Sequence, residues 1–240
     1  MLTFNRSVLL LALLCCATGT RAAEINLVEQ LREGGAAILV TLALSILFVA
    51  VTAERLVHFR ARAILPAGLV AQARPLWAAR NHAALANLLE QEDSTLARII
   101  AFMSRYRDQP HAFVSGGAGD IASMELRHHQ QKFYALAIIA TVAPIVGLLG
   151  TVVGMIEAFH VIAYSEGMGN PALLASGISK ALVNTAAGLA VALPALGMHH
   201  FFKNRMMFFS LALEKQVNAL LNEWFVPVPV QPHLQVLNAH

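Results

Sequence analysis

Three long stretches of this chain carry no charged residue, and they set its organisation. Residues 34–53, 133–156 and 181–202 run for about 20, 24 and 22 residues without Asp, Glu, Lys or Arg, each long enough to cross a bilayer as a helix. The surrounding polar positions predict spanning helices over 34–53, 133–163 and 176–202, with a connecting loop at 164–175. A helical segment is predicted over 54–132, and a helix with a tail over 203–240. The fold class read from this pattern is an all-α integral membrane protein with three transmembrane helices and extended cytoplasmic helices.

Inside 54–132 the apolar period is helical. Leu69, Ala73, Leu76 and Trp77 share one face, followed by Ala84, Leu85, Leu88 and Leu89. Glu90-Gln-Glu-Asp93 interrupts the pattern, and Ser94 is placed to cap a helix over 95–107. Asp108-Gln-Pro-His111 and Ser115-Gly-Gly-Ala-Gly119 read as loop signals. A further helix is expected to begin at Asp120 or Ser123 and run through Lys132 directly into the second span. After the third span, Phe209, Leu213, Val217, Leu220 and Trp224 form an apolar stripe for packing on the cytoplasmic helices or on a neighbouring subunit.

The first 23 residues have a different logic. Arg6, the apolar run from Val8 to Ala17 and the small-residue stretch ending at Ala23 read as a signal peptide cleaved after Ala22 or Ala23. An uncleaved anchor is the alternative. Residues 24–33 would then form a short periplasmic lead-in. Both cysteines, Cys15 and Cys16, lie in this leader, so the mature chain would have no thiol chemistry.

Composition and charge fix the environment. The chain is 57% hydrophobic and 13% charged, with mean hydropathy +0.60, outside the usual balance of soluble domains. Ten of the 17 Lys and Arg lie between Arg55 and Lys132, and none lies from Tyr164 to Ala175. The positive-inside rule therefore puts the middle segment in the cytoplasm and the short loop opposite. The N-terminus is then periplasmic and the C-terminus cytoplasmic. A net charge of +3 fits a basic face against anionic lipid and calls for no nucleic acid.

Bond-making chemistry finds no support. There is no phosphate loop, no nucleophile elbow and no metal-spaced Cys/His set, so no enzyme, cofactor or metal is expected. The chemistry lies within the spans. Gly147, Gly150, Gly154 and Ala158 recur at helical spacing and form a narrow stripe that lets a neighbouring helix approach. Pro144, Gly188 and Pro194 are further packing or kink positions. Thr151, Asn184 and Thr185 bring hydroxyls and an amide into the spans, for cross-helix bonds or for a wet pore. Glu157 lies near the outer end of the second span, either as a proton-collecting group or as a boundary residue. Lys180 enters the third span one turn before Asn184.

The residues Ala143-Pro-Ile-Val-Gly-Leu-Leu-Gly-Thr-Val-Val-Gly154 and Ala181-Leu-Val-Asn-Thr-Ala-Ala-Gly-Leu-Ala-Val-Ala-Leu-Pro-Ala195 resemble the two signature helices of the MotA/TolQ/ExbB proton-channel family. The order of features is most similar to ExbB. The resemblance implies a bacterial inner-membrane motor subunit that uses proton-motive force to energise TonB-dependent outer-membrane uptake. It also implies a homo-pentamer around an ExbD-like single-span partner carrying a protonatable aspartate, and a TonB-like energy transducer. Thr151 and Thr185 match the family's channel-lining threonines. A threonine exchanges no proton near neutral pH, so it can orient water but not relay alone. At Lys180 the chain departs from the family, which usually has glutamate there. A TolQ-like motor subunit, a flagellar-stator-like subunit and a non-channel membrane scaffold are the alternative readings.

Overall fold

The computed structural model describes residues 35–58, 63–164 and 171–226. The expected signal peptide and lead-in lie outside these residues, as do the tail beyond Val226 and residues 165–170 of the loop. Seven helices are described, and no strand occurs among the described residues. They are α1 (Gly35–His58), α2 (Leu69–Ala78), α3 (His82–Glu90), α4 (Thr95–Arg105), α5 (His111–Gln131), α6 (Tyr134–Tyr164) and α7 (Pro171–Phe225). Three of the helical stretches are long and apolar enough to cross a membrane. The protein is an all-α integral membrane protein.

The chain divides into two compact units. Among the described residues, one comprises those up to Val57 with those from Gln131 to Lys203, the other those from His58 to Gln130 with those from Asn204 to Val226. In the first, α1, α6 and the leading part of α7 come together. Much of its large apolar surface stays open, including Leu39, Ile46, Leu148, Leu182 and Leu193. Water would penalise such a surface, whereas lipid and neighbouring helices accept it. Its buried positions are mostly small, such as Ala143, Ala158, Ala181, Ala192 and Ala195. Close backbone approach holds the helices at these positions, while Phe133, Leu136, Ile139 and Phe202 add larger buried side chains elsewhere in the unit.

The second unit is built like a soluble helical domain. Leu96, Ile99, Ile100 and Met103 of α4 are all fully buried, following the i, i+3, i+4, i+7 spacing of an amphipathic helix. Each such side chain contributes about 1.5–3 kcal/mol. The Ser94 hydroxyl caps α4 by accepting from Ala97 N–H at 3.2 Å, and Asn81 caps α3 through Ala84 N–H at 3.1 Å. Leu96 N–H donates to the carbonyl of buried Ile64 at 3.1 Å, which ties the preceding loop to the start of α4. On the trailing part of α7, Leu213, Val217, Leu220 and Leu221 are buried, and Trp224 stacks on Trp77 of α2 with centroids 4.2 Å apart. Arg74 and Glu223 pair beside them at 3.0 Å.

Several boundaries differ from the sequence reading. Ser115–Gly119 is not a loop but the interior of α5, which begins at His111. Pro110 opens this helix, its carbonyl accepting from Phe113 and Val114 N–H. The reason for glycine at 117 is proximity: a Cβ there would lie 2.2 Å from the Phe102 ring. Tertiary packing therefore overrides the low helix propensity of the run. The helix also does not pass directly into the second span. It stops at Gln131 and restarts at Tyr134, with Phe133 turned inward at 3% exposure beside Phe202. The helix capped by Ser94 ends at Arg105 rather than 107. The helix carrying the third apolar stretch begins at Pro171, inside the expected 164–175 loop, because proline suits a first turn whose N–H groups need no partner.

Candidate functional site

The small-residue stripe of α6 faces α7, and the two run antiparallel in near-backbone contact. A Cβ on Gly188 would come within 2.6 Å of the Ala143 carbonyl oxygen and 3.1 Å of the Gly147 Cα. One on Gly147 would meet the Asn184 carbonyl at 2.9 Å, and one on Gly154 would meet Ala181 Cβ at 3.2 Å. Ala158 closes the series against Gly177. The two helices meet here through glycines and alanines, with Asn184 and Thr185 among them. Pro144 and Pro194 both lie inside continuous helices on either side of it.

At Gly150 a third helix joins. A Cβ there would sit 2.8 Å from both Ala37 Cβ of α1 and Asn184 Cβ of α7. Thr41, one turn along α1 and buried, returns its hydroxyl to the Ala37 carbonyl at 3.0 Å. The role of α1 here was not drawn from the sequence. Its signal was the run of small residues Gly34-Gly-Ala-Ala37 where the apolar stretch begins.

The hydroxyls are placed in two ways. Thr185 donates across the seam to the Gly147 carbonyl at 3.3 Å. Thr151 turns back to its own helix and donates to Leu148 O at 2.6 Å. Neither lines the open cavity between the three helices.

That cavity, of about 610 Å³, brings together Glu157, Lys180 and Asn184. Glu157 is exposed, Lys180 half-buried and Asn184 only 5% exposed. Ser176 adds a hydroxyl, and Ala37, Val40, Leu149, Val153 and Gly154 belong to the larger apolar part of the lining. An acid, a base and an amide within membrane-crossing helices are costly unless they face one another, a partner or water, so residues of this kind mark ion and proton pathways.

Comparison with known proteins decides the class. The sequence pattern of the MotA/TolQ/ExbB proton channel family matches residues 109–215, which span α5, α6 and most of α7. Biopolymer transport protein exbB1 of Vibrio cholerae is 33% identical over 159 residues, covering 63% of this chain and 68% of that protein. The chain belongs to the MotA/TolQ/ExbB proton channel family. Within the family it is most like ExbB. A putative ExbB-like biopolymer transport protein of Helicobacter pylori is 39% identical over 95 residues, covering 40% of this chain. The Tol-Pal system protein TolQ of Haemophilus influenzae is 31% identical over 120 residues, covering 49% of this chain. The chain spans about half the length of these last two relatives. The family match takes in the α6–α7 seam and the Glu157, Lys180 and Asn184 positions, whereas α1 and its Ala37 lie outside it.

Proposed function

We propose that this protein is an ExbB-like subunit of an inner-membrane motor that turns proton-motive force into work on TonB-dependent outer-membrane uptake. The observation that carries this reading is the α6–α7 pair, packed through glycines with Thr185 bonded across it and Asn184 beside it. Such a pair offers backbone carbonyls and hydroxyls to a conducting path without bulky side chains to block it. The conducting assembly is a homo-oligomer, most simply a pentamer, around a single-span ExbD-like partner whose aspartate takes up and releases the proton. A TonB-like transducer receives the force. One charge crossing 100 mV is worth about 2.3 kcal/mol, less than the roughly 5–15 kcal/mol stability of a folded domain. Work on a folded receptor therefore requires several protons per stroke, which suits a cyclic motor. The N-terminus is on the periplasmic side, in keeping with the basic segment between residues 55 and 132.

The test is partner-dependent proton flux in vesicles. The chain is reconstituted with a single-span partner whose helix carries an aspartate, under an imposed potential and pH gradient. Flux is expected with that partner and lost when its aspartate becomes asparagine. Absence of flux from a stable complex would leave a membrane scaffold. Site-specific crosslinking to a TonB-like or a TolA-like transducer separates the ExbB reading from the TolQ reading.

A further inference from the structure

We infer that the cavity between α1, α6 and α7 is a hydrated inlet within each subunit, with Glu157 as its proton-collecting carboxylate. This rests on the proton-motor reading above and names where the proton reaches the subunit from the side of residues 165–170.

The geometry is graded along the cavity. Glu157 lies seven residues before the end of α6 at Tyr164, about 10 Å along the axis, and Lys180 nine residues into α7, about 14 Å. Asn184 lies deeper, about 20 Å from Pro171. Exposure falls in the same order, from open Glu157 through half-buried Lys180 to buried Asn184. The polar lining therefore leads inward from the mouth to the seam where Gly147 and Gly150 meet Asn184. A cavity of about 610 Å³ has room for a connected cluster of waters, and Glu157, Lys180 and Asn184 supply the polar partners such waters need. Acyl chains are poor occupants, because they would strip water from an acid, a base and an amide at once.

The small residues on the wall explain the space. Gly154, Ala37 and Gly177 lie on the lining, and larger side chains there would fill it. Glu157 takes a proton from hydronium at the mouth, leaving water and a neutral carboxylic acid. The acid returns that proton to water on the Asn184 side and is again a carboxylate. Lys180, on the same wall, opposes the passage of metal cations by its charge.

Cysteine accessibility tests this independently of flux. In full-length chain with Cys15 and Cys16 replaced by serine, Asn184→Cys marks the floor and Ser176→Cys the mouth. Ile46→Cys, on an exposed face of α1 about 17 Å along that helix and off the cavity lining, is the control at similar depth. A small membrane-impermeant cationic thiosulfonate added from the side of residues 165–170 should modify Asn184→Cys at least about tenfold faster than Ile46→Cys. Glu157→Gln should slow that cationic reagent several-fold, and Lys180→Met should speed it, while a neutral reagent is unaffected. If Asn184→Cys does not accumulate, the same charge dependence is read at Ser176→Cys. Reactivity equal to the control, or indifference to both charge changes, overturns the inlet. With the partner present, Glu157→Gln should lower proton flux about tenfold and Glu157→Asp should preserve most of it. Flux in the wild-type chain without labelling would reject the inlet alone. Labelling without any flux would reject the motor reading and leave the hydrated cavity standing.

Discussion

The Thr185 hydroxyl donates to the Gly147 carbonyl at 3.3 Å, joining α7 to α6 where their backbones are closest. One side chain thus has two tasks in view: it fixes the seam, and it stands beside the residues proposed to conduct. Thr185→Val keeps the shape and removes the hydroxyl. A single cross-helix bond of this kind is worth about 1 kcal/mol or less, so the protein should remain assembled in the membrane. Partner-dependent proton flux should fall at least about tenfold if the hydroxyl orients water. Thr151→Val should have a smaller effect, because Thr151 bonds only its own helix. Full flux from the double variant would reduce both threonines to packing groups.

The seam itself is tested at Gly188. Alanine there would press on the Ala143 carbonyl at 2.6 Å and on Gly147, with backbone on both sides and nothing flexible to move. Gly188→Ala should destabilise the protein by about 1–3 kcal/mol, seen as a lower melting temperature in detergent. Gly197→Ala is the companion. A Cβ at Gly197 meets nothing within 4 Å, and alanine is the better helix former by about 1 kcal/mol. Equal melting temperatures for the two variants would contradict the close approach at Gly188.

The Trp77–Trp224 stack gives a third prediction. Trp77 also lies within ring contact of His82 and Phe225, so its removal takes an aromatic cluster apart. At this half-buried site Trp77→Ala should cost about 1–3 kcal/mol. Trp77→Phe should retain much of that through the remaining ring contact. Limited proteolysis near residue 80, compared between the two variants, reads the difference. Unchanged protection in Trp77→Ala would show that the Arg74–Glu223 pair and the buried stripe suffice.

Arg98 lies between Asp93 and Glu125, at 2.5 Å from each, and its hydrogen bonds to Asp93 and then Glu125 raise its pKa. A base whose folded pKa is raised contributes stability that is fully present below its unfolded pKa and lost only as pH rises through the folded one. For arginine that window is strongly alkaline, so titrating stability from pH 6 to 9 should show no step from this group. Arg98 is half exposed and Glu125 is 21% exposed, so solvent screens the pair and Glu125→Gln should cost about 1 kcal/mol or less. A larger loss, insensitive to added salt, would show that the network does more than decorate the surface.

The sequence alone determined the fold class of this protein. Charge-free length, the stripe of Gly147, Gly150 and Gly154 and the cap at Ser94 are local signals, because helix period, span length and capping depend on neighbours along the chain. The same signals marked Glu157, Lys180 and Asn184 one by one. Where a local signal was weak, packing reversed it: Ser115–Gly119 reads as a loop, yet Phe102 holds Gly117 inside α5. Only the tertiary structure decided which residue meets which. Gly188 reaches Ala143, Thr185 reaches Gly147, and Ala37 meets Asn184 at Gly150 through contacts between residues far apart in the chain. The convergence of Glu157, Lys180 and Asn184 on one cavity belongs to that second category. It depends on how antiparallel helices are rotated about their axes, which close packing of small residues sets and no periodicity along a single helix encodes.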